Sequence, residues 1–179
     1  MNLIVLDRDG VINQDSDAHI KTVEEWVPIP GSLEAIARLN HAGYRVVVAT
    51  NQSGLARGLF TIDALNAIHR KMRRALGQVG GQIEAVFFCP HKPSDDCLCR
   101  KPRPGLLEDI GQRLQVDMTG VPVVGDSLRD IQAALAVGSA PFLVLTGKGR
   151  LTARNNPTEI EQIPTFADLS AAVDALLSP

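Results

Sequence analysis

Four groups of residues in this chain carry side chains able to do chemistry together. Asp7 and Asp9 stand in Asp7-Arg8-Asp9-Gly10, directly after the aliphatic run 3–6. Thr50 follows the apolar run 44–49 and opens Thr50-Asn51-Gln52-Ser53-Gly54. Lys101 lies in Arg100-Lys101-Pro102, and Asp126 and Asp130 follow the run 121–124 in Gly125-Asp126-Ser127-Leu128-Arg129-Asp130. A carboxylate can attack an electrophile or move a proton, and a lysine with a hydroxyl can hold an anion. Two carboxylates about 4 Å apart repel by roughly 4 kcal/mol at an effective dielectric near 20. Several acids in one cleft therefore need a cation, and oxygen donors without nitrogen or sulfur suit Mg²⁺. Taken singly, each piece has a plain use. An Asp after a strand makes a turn or an N-cap, a Thr caps a helix, and a Lys before Pro is a solvated charge. Their common placement, each just after an apolar run, argues for one site.

The elements that must position these residues alternate. Short aliphatic runs at 3–6, 44–49, 83–88, 121–124 and 141–145 read as strands buried on both faces. Between them, 32–42, about 61–76, 104–114 and 128–137 read as amphipathic helices, with Gly43, Gly77 and Gly138 as stops and Thr61 as an N-cap. A last helix over 166–177 is expected, with Thr165 and Asp168 forming a capping box. Strands alternating with helices predict a parallel sheet covered on both sides, with ligands bound beyond the carboxyl ends of the strands.

The chain has 179 residues, 45% of them hydrophobic, enough to fill the core of a single domain over residues 1–179. Its net charge of −2 argues against a basic nucleic-acid-binding surface, and 4% aromatics against a base-stacking platform. No apolar run is long enough for a membrane span or a signal-peptide core, so a cytoplasmic chain that engages neither membrane nor nucleic acid is expected, acting as a monomer. The basic run Arg70-Lys71-x-Arg73-Arg74 reads as a solvated helix face, and His19, His41 and His69 as surface or packing residues.

The four groups, in this order, resemble the motifs of the haloacid dehalogenase-like (HAD) phosphatase superfamily over residues 3 to about 146. The resemblance implies a three-layer α/β/α, Rossmann-like parallel sheet. It implies that Asp7 attacks phosphorus to form an aspartyl phosphate, and that Asp9 protonates the leaving alkoxide and then takes a proton from water. Thr50 and Lys101 would bind the phosphoryl oxygens. Asp126 would hold Mg²⁺ with the Asp7 carboxylate and the Asp9 carbonyl, with Asp130 in support. Gly10 would let the backbone approach the phosphate.

Cys89-Pro90-His91 and Cys97-Leu98-Cys99 form two close pairs with five residues between them, and they use all three cysteines. Three sulfurs and one imidazole make a tetrahedral structural zinc set. Such a site, in a loop at 89–101, would fold the segment that delivers Arg100 and Lys101. With this loop the chain resembles two branches of the superfamily, the bacterial heptose bisphosphatases and the histidinol-phosphate phosphatases. The segments 7–13, 51–60 and 146–148 lean towards the first. A small phosphorylated sugar is the implied substrate, met by Asp15, Ser16, Asp17, Ala18, Asn51, Gln52, Ser53, Arg57, Arg100 and Lys148. A non-enzymatic phosphate-binding module is the alternative from another class. The intervals between the motifs are filled by one or two elements each, so no cap domain is expected. Residues 13–30, with Trp26, read either as a specificity loop or as a plain connection packed on the core.

Overall fold

The computed structural model describes residues 2–178. The aliphatic runs form β1 (Asn2–Leu6), β2 (Tyr44–Asn51), β3 (Ala85–Cys89), β4 (Pro122–Gly125), β5 (Ala140–Val144) and β6 (Thr165–Phe166). All pair parallel in one sheet of order β3-β2-β1-β4-β5-β6. The helices are α1 (Ser32–His41), α2 (Ile62–Gln78), α3 (Gly105–Leu114), α4 (Leu128–Ala136), α5 (Gly149–Asn155), α6 (Pro157–Ile160) and α7 (Leu169–Leu177).

Strand side chains alternate between the two faces. Ile4, Leu6, Val46 and Val48 pack with Ile36, Leu39, Ile68, Met72 and Val173, so α1, α2 and α7 cover one face. Leu3, Val5, Val47 and Ala49 pack with Leu107, Ile110, Ala133 and Ala134, so α3 and α4 cover the other. Each such valine, leucine, isoleucine or methionine side chain, fully buried, contributes about 1.5–3 kcal/mol against leaving it in water. This is the three-layer α/β/α arrangement expected.

Strand order places the site. The sheet runs from β1 towards β2 and β3 on one side and towards β4 and β5 on the other. The crevice of such a sheet opens where the order reverses, here beyond the carboxyl ends of β1 and β4. The Asp7 amide donates to Val124 O at 2.9 Å and carries the pairing of these two strands into that crevice.

Three local expectations change. Thr165 is no helix cap: it pairs in β6, where Phe166 stacks on Phe142 at 5.5 Å. The α7 cap is Asp168, which accepts from the Ala171 amide at 2.9 Å. Helices α5 and α6 stand where no element was expected, although Asn156-Pro157 is an ordinary helix start. In the basic run Arg70, Arg73 and Arg74 are exposed, as a solvated face requires, and Lys71 is half-buried. Lys71 Nζ donates to Val23 O and Trp26 O at 2.7 and 2.8 Å and lies 5.6 Å over the Trp26 ring, and Arg73 donates to Ile83 O. Both readings of residues 13–30 hold in part. Trp26 is buried in the core, while Asp15, Ser16, Asp17, His19 and Ile20 line the crevice. No helix among the described residues is long and apolar enough to cross a membrane.

Asp168→Ala should cost about 1 kcal/mol of stability in urea denaturation. Thr165→Ala should cost less, because the cap survives; the reverse ranking would restore the capping box.

Candidate active site

Lys101 is the buried centre of the crevice. Its Nζ lies 3.2 Å from Asp7 Oδ1 and 2.5 Å from Asp130 Oδ1, and donates to Ala49 O at 2.7 Å. Burial opposes its charge, but Asp130 and Asp7 outweigh burial and hold its proton well above the usual lysine range. Burial likewise opposes the charge of Asp130, and Lys101 and Ser127 outweigh it, holding this carboxyl below its ordinary value. Asp130 Oδ2 accepts from Ser127 Oγ at 2.6 Å and from the Ser127 amide at 3.1 Å, in a capping box that starts α4. A Cβ on Gly125 would meet Asp130 Cβ at 2.2 Å, so glycine is required beside it.

The carboxylates of Asp7, Asp126 and Asp130 lie within 4.8 Å of one another. Burial, then the charges of Asp130 and Asp9, push Asp7 up to about 7 against the pull of Lys101. Burial, Asp130 and Asp7 push Asp126 up to about 8. Since Lys101 and Ser127 occupy Asp130, Asp7 and Asp126 are the free oxygen donors. Two crowded carboxylates that favour protons over ionisation suit a hard dication, which relieves their repulsion. Gly10 has a packing role as well. The space left by its missing side chain holds Asp126: a Cβ there would meet Asp126 Oδ2 at 2.0 Å, and a Cβ on Gly147 would meet it at 2.2 Å. The Lys148 amide donates to the same oxygen at 2.7 Å.

The Asp9 carboxylate turns away from this cluster. Arg8 Nη2 reaches its two oxygens at 2.8 and 3.0 Å and Arg8 Nε reaches Oδ1 at 3.0 Å. Asn13 Nδ2 and Gln52 Nε2 donate at 2.9 and 3.0 Å. Burial raises this carboxyl, but the Arg8 guanidinium and the hydrogen bonds outweigh it and hold it below the ordinary range.

A cleft of about 220 Å³ opens over these groups. Thr50 lines it, with Oγ1 accepting from Gln52 Nε2 at 2.9 Å. Asp15, Ser16, Asp17, Gln52, Ser53, Arg57, Arg100 and Lys148 line it as expected from the resemblance. Lys148 Nζ lies 3.3 Å from Asp15 and 3.4 Å from Asp17. Asn51 reaches the wall, but its amide is taken up by the Lys101 backbone, donating to O at 3.0 Å and accepting from N at 3.1 Å. Ala18 is exposed and outside the cleft lining. His19, expected on the surface or in packing, lines the cleft with Nε2 3.5 Å from Ser53 Oγ. Sequence reasoning also passed over Arg8 and Arg129. Arg129 had a signal, since it lies in the first turn of a helix that begins at a strand end.

In the 89–101 loop, Sγ of Cys89, Cys97 and Cys99 and Nδ1 of His91 stand 3.2–3.7 Å apart in the contacts they make. A tetrahedron with bonds of about 2.3 Å has edges of about 3.7 Å, so one ion fits the set. The sulfurs are too far apart for a disulfide and the cysteines are free. The cluster is continuous with the crevice. The Gln52 amide donates to Cys89 O at 2.7 Å, and Arg100 Nη1 to His91 O at 3.2 Å.

A parallel sheet with this charged crevice at its reversal point is a three-layer α/β/α domain built to bind a ligand beyond the carboxyl ends of its strands. A family model described as HAD-hydrolase-like matches residues 98–172. D-glycero-beta-D-manno-heptose-1,7-bisphosphate 7-phosphatase of Bordetella bronchiseptica is 58% identical over 99% of this chain and 98% of its own. The enzyme of the same name from Pseudomonas putida is 51% identical over 99% and 100%. A crystal structure of D,D-heptose 1,7-bisphosphate phosphatase from B. bronchiseptica, complexed with magnesium and phosphate, superposes with a TM-score of 0.96 at 58% identity, covering 99% of this chain and 98% of that one. The chain belongs to the HAD-like hydrolases, in the family of these heptose bisphosphatases.

Asp7 and Asp126 bind protons more tightly folded than unfolded. Metal-free protein therefore loses their contribution as pH rises from about 4 through 7–8. The gain in Tm on adding Mg²⁺ should be larger at pH 8.5 than at pH 5.5; equal gains would contradict the crowded-carboxylate site. Gly10→Ala should abolish the gain at both, read by the same thermal scans.

Proposed function

We propose that this chain is a Mg²⁺-dependent phosphomonoesterase that removes the 7-phosphate of D-glycero-D-manno-heptose 1,7-bisphosphate, in the supply of activated heptose for lipopolysaccharide. The observation that carries it is the meeting of Asp7 and Lys101 at 3.2 Å beside Asp126, at the reversal point of the sheet. The relatives' name favours the β anomer.

An Asp7 carboxylate oxygen attacks phosphorus, forming an aspartyl phosphate as the bond to the C7 oxygen breaks. Asp9 gives a proton to that leaving oxygen. In the resting site it is a carboxylate gripped by Arg8; the arriving phosphate dianion raises its proton affinity, so it takes up a proton from solvent as substrate binds and returns it when phosphate leaves. Water then attacks phosphorus, Asp9 takes its proton, and inorganic phosphate leaves with Asp7 restored. The Lys101 ammonium and the Thr50 hydroxyl balance charge on the phosphoryl oxygens. Held by Asp7, Asp126 and the Asp9 carbonyl, Mg²⁺ supplies positive charge against those oxygens. Asp130 fixes Lys101, and Arg57 and Arg100 face the sugar end. Zn²⁺ at Cys89, His91, Cys97 and Cys99 is structural, because four protein ligands leave no open position.

With Mg²⁺, kcat/KM should be highest for the heptose bisphosphate in a panel with histidinol phosphate and fructose 1,6-bisphosphate. Asp7→Asn should keep the fold and lose turnover. A win for histidinol phosphate would move the substrate; no turnover on any would favour a binding module. Metal analysis should find one zinc per chain, and Cys97→Ser should lower Tm and activity together with no rescue by Mg²⁺. Full activity in zinc-free protein would remove the structural zinc.

A further inference from the structure

Arg8 is wholly buried, so every guanidinium donor needs a protein partner. Nε and Nη2 hold Asp9, and Nη1 lies 3.2 Å from His69 Nε2, sixty-one residues away on α2. Arginine only donates, so Nε2 accepts and the ring proton sits on Nδ1. We propose that His69 is a positioning residue for Asp9: as the acceptor for Nη1, it fixes the plane of the guanidinium that orients the Asp9 carboxylate towards the leaving oxygen. This rests on the acid–base reading of Asp9 given above.

The surroundings keep the imidazole in that role. His69 is buried, with its ring tilted against Phe88 at 6.5 Å between centroids. Its helical neighbours Ile68 and Met72 are locked in the core, so α2 sets its height against β1. Burial and the Arg8 charge push the ring down to about 4, leaving it neutral and able to accept. Without this acceptor, Nη1 would lose the partner that holds it, and the fork would turn on the one carboxylate it still holds.

A leaving-group comparison tests it. A sugar phosphate expels an alkoxide that must be protonated; p-nitrophenyl phosphate expels a stable phenolate that need not be. His69→Leu should lower kcat for the sugar phosphate about tenfold with KM unchanged, and for the aryl phosphate less than about twofold. His69→Gln, which keeps an acceptor, should recover most of the loss. The aryl rate also reports that the variant is folded, and His69→Val serves as a second acceptor-free variant. Equal losses on both substrates, or no loss on either, would overturn the proposal. Asp9→Asn run beside it separates the two readings. If it shows no leaving-group dependence, the acid role of Asp9 fails and takes the proposal with it. If it shows the dependence and neither His69→Leu nor His69→Val does, only the positioning role fails.

Discussion

The structure depends on keeping the Lys101 ammonium charged while 97% of the residue's surface is out of water. A buried cation is stable only when paired and hydrogen-bonded, and removing one partner costs about 3–5 kcal/mol. Asp130, Asp7 and the Ala49 carbonyl meet that requirement from three different strand ends. Each partner brings its own demand. Asp130 needs a bare glycine at position 125 and the Ser127 capping box, so the start of α4 and the salt bridge are one feature. Lys101 must arrive from a loop that has no aliphatic core, and the Asn51 amide clamps its backbone to the end of β2. The cysteine–histidine cluster stands directly before it in the chain.

The opposite charge balance governs the neighbouring acids. Asp7 and Asp126 are crowded, and the backbone is arranged to keep them so. Gly10 and Gly147 close over the Asp126 carboxylate, and the Lys148 amide holds one of its oxygens. Asp9 is kept out of this group by Arg8. One tetrapeptide thus turns two carboxylates in different directions, one towards Lys101 and Asp126, the other towards a guanidinium.

Much of this was legible in the sequence. The sheet, most of its helices and the crevice residues follow from apolar runs, capping residues and chemistry-bearing groups at strand ends, because those signals are local. What was hidden depends on distant contacts. The space left by the missing side chain of Gly10 is filled by an aspartate 116 positions later. Asn51 looked like a ligand contact, and its amide is used on the Lys101 backbone. Thr165 has a capping signature that β-pairing with β5 overrides. Lys71 and His69 lie on an ordinary amphipathic helix, and nothing in its periodicity says that one ties down the Trp26 loop and the other meets Arg8.

The most direct measurement is to trap the covalent intermediate. An aspartyl phosphate is an acyl phosphate, which borohydride reduces to homoserine. Enzyme turning over heptose bisphosphate with Mg²⁺ should, after quenching with borohydride, carry homoserine at position 7 by peptide mass spectrometry, and the Asp7→Asn variant should carry none. Turnover with no homoserine, or with homoserine at position 9, 126 or 130 instead, would contradict the assignment of Asp7 as the nucleophile.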